Sequence, residues 1–403
     1  MESRKPATAT RAVRAGIEDD SHYGAVVPPV HMTSTFSFEG LGQPRTHDYS
    51  RSGNPTRDLL ASALRDLEHG AAATVTCTGM AAITTVLQLV ESGSSRLLAP
   101  ADCYGGTWRL LNALSRRDAF ELEWVDFHDP VDWRPRLERP AALVWLESPS
   151  NPLLRITDIR AVAAAAHGIG ALVAVDNTFL SPALQVPIDL GADIVVHSTT
   201  KYVNGHSDVV GGAVIAADRE NGERIAWWAN CLGVTAAPFD CWLALRGLRT
   251  LDVRIARQQE SAGAIVELLD GHAAVQQVHY PGLPQHPGHG VATDQQRGSG
   301  AIVSFELCGG RPAVERFVDG LQFMSLAESL GGVETLLAHP ASMTHAAMTA
   351  EARVRAGIGE GLLRLSVGLE DRRDLEHDLV AALDRARAGS GSEPAEEVTC
   401  AAK

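Results

Sequence analysis

A chain of 403 residues is too long for a single hydrophobic core and calls for a large domain with a smaller one. Its 45% hydrophobic and 21% charged residues are those of an ordinary globular protein. A net charge of −14, with no basic stripe or tail, excludes a nucleic-acid or anionic-membrane surface.

The first sixty residues lack a strand–helix rhythm, and such an arm is expected to pack on a neighbouring subunit. No apolar run is long enough to span a bilayer, and MESRKPATATRAVRAGIEDD has no apolar signal-peptide core, so the expected location is the cytoplasm. VTCTGMAAITTVLQLV then reads as a helix start, with Thr78 as N-cap and Gly79 allowing close backbone approach. A helix start of this kind binds phosphate through its free N–H groups and dipole, though an ordinary capped helix carries the same residues.

Four apolar segments follow: SRLLAPADCYGG, PAALVWLESPSNP, GALVAVDNTF and GADIVVHSTTKY. Each reads as a buried strand that ends in polar residues. Helical stretches such as TWRLLNALSRRDAF and ITDIRAVAAAAHGIG lie between them. The alternation predicts an α/β domain with a mostly parallel sheet and a ligand at the carboxyl ends of its strands. After a long amphipathic helix in GLRTLDVRIARQQESAGAIVELLDGH, the strands AIVSFEL and LLRLSVGL are sparser. They indicate a smaller α+β domain. The expected division is an arm over 1–60, a large domain over 61–254, a C-terminal domain over 255–388 and a disordered tail over 389–403.

Of the 35 Lys and Arg residues only three are lysines, and Lys201 is the one away from the termini. A deprotonated amine attacks a carbonyl and forms a Schiff base, which a guanidinium cannot do. A leftover surface lysine is the plain alternative. Ser198 and Thr200 beside Lys201 supply hydroxyls for a phosphate. Asp176 at the end of GALVAVDNTF is costly to bury without a cation, and a protonated pyridine nitrogen is such a cation. An imine lysine, a phosphate-binding helix start and a strand-end aspartate together are what pyridoxal phosphate requires.

The motifs YSRSGNPTRDLL, TGMAA, DCYGGTWRL, ESPSNP, VDNTF, HSTTKYVNGHSDVVGG, LAESLGGVETL and LLRLSVGLED resemble the Cys/Met-metabolism pyridoxal-phosphate enzymes over about residues 12–387. HDYSRSGNPT, PADCYGGTWRL, WWANCLGVT, FDCWLALRGLRTL and MTHAAM are similar to the bacterial cystathionine γ-synthase branch of that family. The resemblance implies an aspartate-aminotransferase-like, fold type I transferase. It implies that Lys201 holds the cofactor and shuttles protons, that Tyr104 stacks on the ring and assists, that Asp176 pairs with the ring nitrogen, and that Asn151 contacts the phenolic oxygen. Phosphate would be held by Gly79, Met80, Ser198 and Thr200, with Tyr49 and Arg51 arriving from a neighbouring subunit. Arg364, with Ser329 nearby, would clamp the substrate α-carboxylate, and Arg109, Asp48 and Glu328 would line the distal pocket unless they form structural ion pairs. A homodimer with shared sites, and a homotetramer built from it, is the implied assembly.

The implied reaction is γ-replacement: an O-acylhomoserine, typically O-succinylhomoserine, and L-cysteine give cystathionine, as in transsulfuration and methionine biosynthesis. Cystathionine γ-lyase shares nearly every catalytic group. Methionine γ-lyase fits less well, because relatives with that activity carry a Cys where this chain has Gly106. An enzyme of specialised metabolism acting on a γ-halogenated or unsaturated amino acid is a further alternative, to which Trp108, Pro238, Cys231 and Cys241 could contribute by reshaping the pocket. A non-catalytic binding protein of the same fold is opposed by the intact Lys201, Tyr104, Asp176 and Arg364.

Six scattered cysteines (Cys77, Cys103, Cys231, Cys241, Cys308, Cys400) indicate neither zinc nor disulfides and are expected to be buried thiols. HPGH at His286 and His289 reads as a Pro/Gly loop and not a metal site. His197 is expected to be a packed or hydrogen-bonded support, and Trp227 and Trp228 core or subunit contacts.

Overall fold

A computed structural model describes residues 6–91, 93, 95–346 and 348–388. The expected tail over 389–403, with Cys400 and Lys403, lies outside these residues, as does Lys5.

The chain forms two compact units. One comprises the described residues up to Pro100, Leu110–Ser148 and Thr157–Val253; the other comprises Ala101–Arg109, Pro149–Ile156 and the described residues from Arg254 onward. The segments 101–109 and 149–156, which lie within the large domain in the division expected from sequence, thus group with the C-terminal residues.

The first unit is built on seven strands: β1 (Ala72–Thr76), β2 (Arg96–Pro100), β3 (Glu121–Val125), β4 (Leu143–Glu147), β5 (Leu172–Asp176), β6 (Ile194–His197) and β7 (Gly212–Ala216). Their order is β1-β7-β6-β5-β4-β2-β3, and β3, β2, β4, β5 and β6 run parallel. β7 is antiparallel to both of its neighbours. Helices cover both faces, so the central strands are apolar on both sides. Leu143, Trp145, Ala174 and Val196 enter one core, whereas Val144, Leu146, Val173 and Val175 enter the other. This leaves the polar residues of the parallel strands at their carboxyl ends, where Glu147, Asp176 and His197 terminate β4, β5 and β6.

The second unit carries a five-stranded sheet of β8 (Val275–His279), β9 (Ile302–Leu307), β10 (Ser325–Leu326), β11 (Leu336–Ala338) and β12 (Leu362–Ser366) in the order β10-β11-β12-β9-β8. Ile265 and Leu269 of the helix Leu251–Asp270 pack with Phe305, Leu365, Leu379 and Leu383 in its core. At the same time β12 holds Arg364 opposite Ser304 of β9 and Ala338 of β11. No helix among the described residues is long and apolar enough to cross a membrane.

The thiols depart from expectation. Cys103 and Cys241 are buried, but Cys77 and Cys231 are exposed, because Cys77 lies just beyond β1 and Cys231 on the outer face of the helix Arg219–Leu232. Trp227 is likewise 59% exposed and stands edge-on to Trp228, which packs against the core, so only the second fits a core role.

Candidate active site

The residues around Lys201 lie at the carboxyl ends of β5 and β6 of the first unit. Asp176 ends β5 in register with Val196 of β6. Its Oδ1 accepts from Thr178 N at 2.9 Å, and the Thr178 hydroxyl oxygen accepts from Ser198 N at 2.9 Å. One threonine thus links the aspartate to the start of the lysine loop. Asp176 keeps some accessible surface, but its carboxylate is desolvated. Desolvation raises its pKa above the usual carboxylate range, while the Thr178 hydrogen bonds and the charge of His197 act the other way.

The loop after β6 is tightly pinned. Lys201 N donates to Ser198 O at 3.2 Å, and Gly205 N donates to Lys201 O at 2.7 Å. The Thr200 hydroxyl donates to Gly211 O at 3.2 Å and accepts from Gly211 N at 2.9 Å. This engagement with backbone qualifies the expectation that the hydroxyl serves a phosphate.

Thr78 caps the helix Gly79–Leu87 through a 2.8 Å bond from Ala81 N, as the sequence predicts. A Cβ on Gly79 would stand 2.9 Å from Ser198 Cβ and 3.1 Å from Ser198 Oγ. Only glycine lets the Ser198 hydroxyl approach the helix N-terminus so closely. Free N–H groups, a dipole and a hydroxyl therefore converge at one place, with Met80 second in the helix. This cradle suits a phosphate, the Asp176 carboxylate suits a protonated ring nitrogen, and the Lys201 amine suits an aldehyde. The residues present fit pyridoxal 5'-phosphate.

Tyr49 and Arg51 belong to the same unit and are exposed. The Arg51 guanidinium lies 5.7 Å from the Tyr49 ring centroid and donates to Asn230 O at 3.2 Å. Asp48 is exposed beside them, its Oδ1 accepting from Tyr49 N at 2.6 Å.

In the second unit Arg364 is 2% exposed. Its two terminal nitrogens donate to Asn151 Oδ1 and Ser329 O, each at 2.8 Å. Sequence reasoning placed Ser329 near Arg364 but assigned Asn151 only to the cofactor. Asn151 precedes a cis peptide bond to Pro152, whose carbonyl accepts from Ser304 Oγ at 2.6 Å. A further residue was missed: His345, fully buried, is 3.1 Å through Nε2 from Asn151 O. Burial and then the Arg364 charge push His345 down to about 4, so the imidazole is neutral and Nε2 donates. The MTHAAM stretch contained this signal only as one histidine in an apolar surrounding.

Tyr104 is 41% exposed at the start of the helix Gly105–Ser115. A Cβ on Gly105 would meet Thr344 O at 2.7 Å, so this turn also depends on glycine. Arg109 and Glu328 are exposed. No group of His, Cys, Asp and Glu capable of holding a metal occurs among the described residues.

The model of the Cys/Met metabolism PLP-dependent enzymes matches residues 9–384. Cystathionine gamma-synthase of Escherichia coli strain K12 is 52% identical over 371 residues, 92% of this chain and 96% of the relative. Cystathionine beta-lyase of Lactococcus lactis subsp. cremoris strain MG1363 is 44% identical over 376 residues, 93% of this chain and 98% of the relative. Among solved structures, cystathionine gamma synthase from Xanthomonas oryzae pv. oryzae in complex with aminoacrylate and cysteine has a TM-score of 0.94 and 60% identity, covering 96% of this chain and all of that one.

Proposed function

Since this chain belongs to the Cys/Met metabolism PLP-dependent enzyme family, we propose that it is a γ-replacement enzyme that joins an O-acylhomoserine, O-succinylhomoserine in the first instance, to L-cysteine. The products are cystathionine and the free acid. One observation carries this reading: the two relatives with the highest identity reported above, at 52% and 60% over more than nine-tenths of the chain, are both named for γ-synthase activity, against 44% for the β-lyase.

Bound pyridoxal 5'-phosphate supplies an electron sink for negative charge at the α- and β-carbons of an amino acid. The chain supplies the rest. Lys201 Nζ is the covalent anchor for the cofactor carbonyl and then the base that moves protons at Cα and Cβ. Asp176 holds the ring nitrogen protonated. The Gly79–Leu87 helix start, with Met80 and Ser198, anchors the phosphate, and Thr200 holds the loop that presents Lys201. Arg364, oriented by Asn151 and the Ser329 carbonyl, binds the substrate α-carboxylate. Tyr104 covers the ring, and Arg109, Asp48 and Glu328 select the distal ends of donor and acceptor. Tyr49 and Arg51, exposed on their own subunit, complete the phosphate site of a second copy, which makes the working unit at least a homodimer.

The β-lyase relative favours a second reading, cleavage of cystathionine. The test is product analysis by mass spectrometry with O-succinyl-, O-acetyl- and O-phosphohomoserine, each with and without cysteine, and with cystathionine alone. Cystathionine as the main product supports the synthase. Keto acid and ammonia from cystathionine move the assignment to a lyase, and turnover of none of these substrates points to a γ-halogenated or unsaturated amino acid.

A further inference from the structure

Glu68 is fully buried in a place unfavourable to a carboxylate. It is the C-cap residue of the helix Pro55–Leu67, where backbone carbonyls and the helix dipole disfavour negative charge. Its Oε1 accepts from His197 Nε2 at 2.6 Å and from Asn177 Nδ2 at 2.8 Å. Its Oε2 has no hydrogen-bond partner among the described residues. Burying such a group is costly, and an apolar residue of similar size would avoid the penalty.

The two residues it grips explain its presence. Asn177 directly follows Asp176, and His197 directly precedes Ser198. One buried carboxylate therefore ties the carboxyl ends of β5 and β6 together beside both groups that meet the cofactor. The tie is braced, since Asn177 Nδ2 also donates to Gln185 O at 2.9 Å, and Gln185 Nε2 donates to Asn177 Oδ1 at 3.0 Å and Ser148 O at 2.8 Å.

Glu68 also holds the His197 ring where its electrostatic interaction with Asp176 favours the ionised carboxylate.

We propose that Glu68 is a positioning residue: by gripping His197 and Asn177 through one carboxylate, it keeps Asp176 aimed at the ring nitrogen of bound pyridoxal phosphate. This rests on the reading of Asp176 as the ring-nitrogen partner.

The test compares the apoprotein with its Glu68→Gln, His197→Gln and Asp176→Asn variants. Each is titrated with pyridoxal 5'-phosphate and with its 1-deaza analogue, in which the ring nitrogen is replaced by C–H, and dissociation constants are read from quenching of intrinsic fluorescence. Wild type prefers the natural cofactor by about tenfold or more, the factor of one pKa unit, and Asp176→Asn abolishes that preference. Glu68→Gln is expected to cut the preference to about threefold or less while leaving affinity for the deaza analogue unchanged. Weakening of both probes by the same factor, or of neither, would mean that Glu68 only braces the fold and would overturn the proposal. If wild type shows no preference, or Asp176→Asn retains it, the reading of Asp176 fails first. Should Glu68→Gln not fold, His197→Gln, which keeps a donor to Glu68 but removes the ring, carries the same expectations.

Discussion

Arg364 and Asn151 are joined by a 2.8 Å hydrogen bond from a terminal guanidinium nitrogen to Oδ1, although 213 positions separate them in the chain. The second terminal nitrogen is held by the Ser329 carbonyl, so the planar fork has one orientation. Lysine would preserve the charge and lose the fork.

Arg364→Lys is therefore expected to lower kcat/KM for the amino-acid donor about 10- to 100-fold, the equivalent of a charged hydrogen bond of about 1.5–3 kcal/mol. Cofactor binding should remain intact. Steady-state kinetics together with the visible spectrum check both halves, and loss of the cofactor band with unchanged kinetics in the residual holoenzyme would contradict the assignment.

Gly79→Ala probes the phosphate cradle. Its new Cβ would lie 2.9 Å from Ser198 Cβ and 3.1 Å from the Ser198 backbone Cα, which cannot swing away as a side chain does. Overpacking of this kind costs roughly 1–3 kcal/mol, and the expected readout is a cofactor dissociation constant raised about tenfold in a protein with native circular dichroism. An unchanged dissociation constant would remove Gly79 and Ser198 from the phosphate site.

His345 makes stability depend on pH. Its folded pKa is pushed down to about 4 from 6.5. Between those values the unfolded chain binds a proton that the folded chain does not, so this contribution is complete above about pH 6.5 and is lost as pH falls towards about 4. The loss is on the order of 3 kcal/mol across that window. His345→Gln, which keeps a donor for the Asn151 carbonyl, should flatten it. Comparing the Tm of the two proteins at about pH 7 and about pH 5 tests this; equal acid sensitivity would show that His345 does not titrate as described.

What the sequence disclosed follows from the range of its physics. Short continuous apolar runs ending in polar residues placed Asp176, Ser198 and Lys201 at strand termini, and a Thr followed by Gly marked the Gly79–Leu87 helix start. These signals are local. The Glu68–His197 and Arg364–Asn151 contacts join residues 129 and 213 positions apart and have no local signature. β1 and β7 were not anticipated either, because Gly212–Ala216 gains its strand character from antiparallel pairing on both sides. Cys77 and Cys231 misled because residue type gives a tendency to burial but not the face on which a residue lands.

Lys201 offers the most direct measurement. Only two other lysines occur in the chain, Lys5 and Lys403, so borohydride reduction of the cofactor-loaded protein followed by peptide mapping gives a simple pattern. The expected result is a single cofactor adduct on Lys201, and no adduct and no visible band in Lys201→Ala. An adduct on Lys5 or Lys403 alone, or one that persists in Lys201→Ala, would contradict the account.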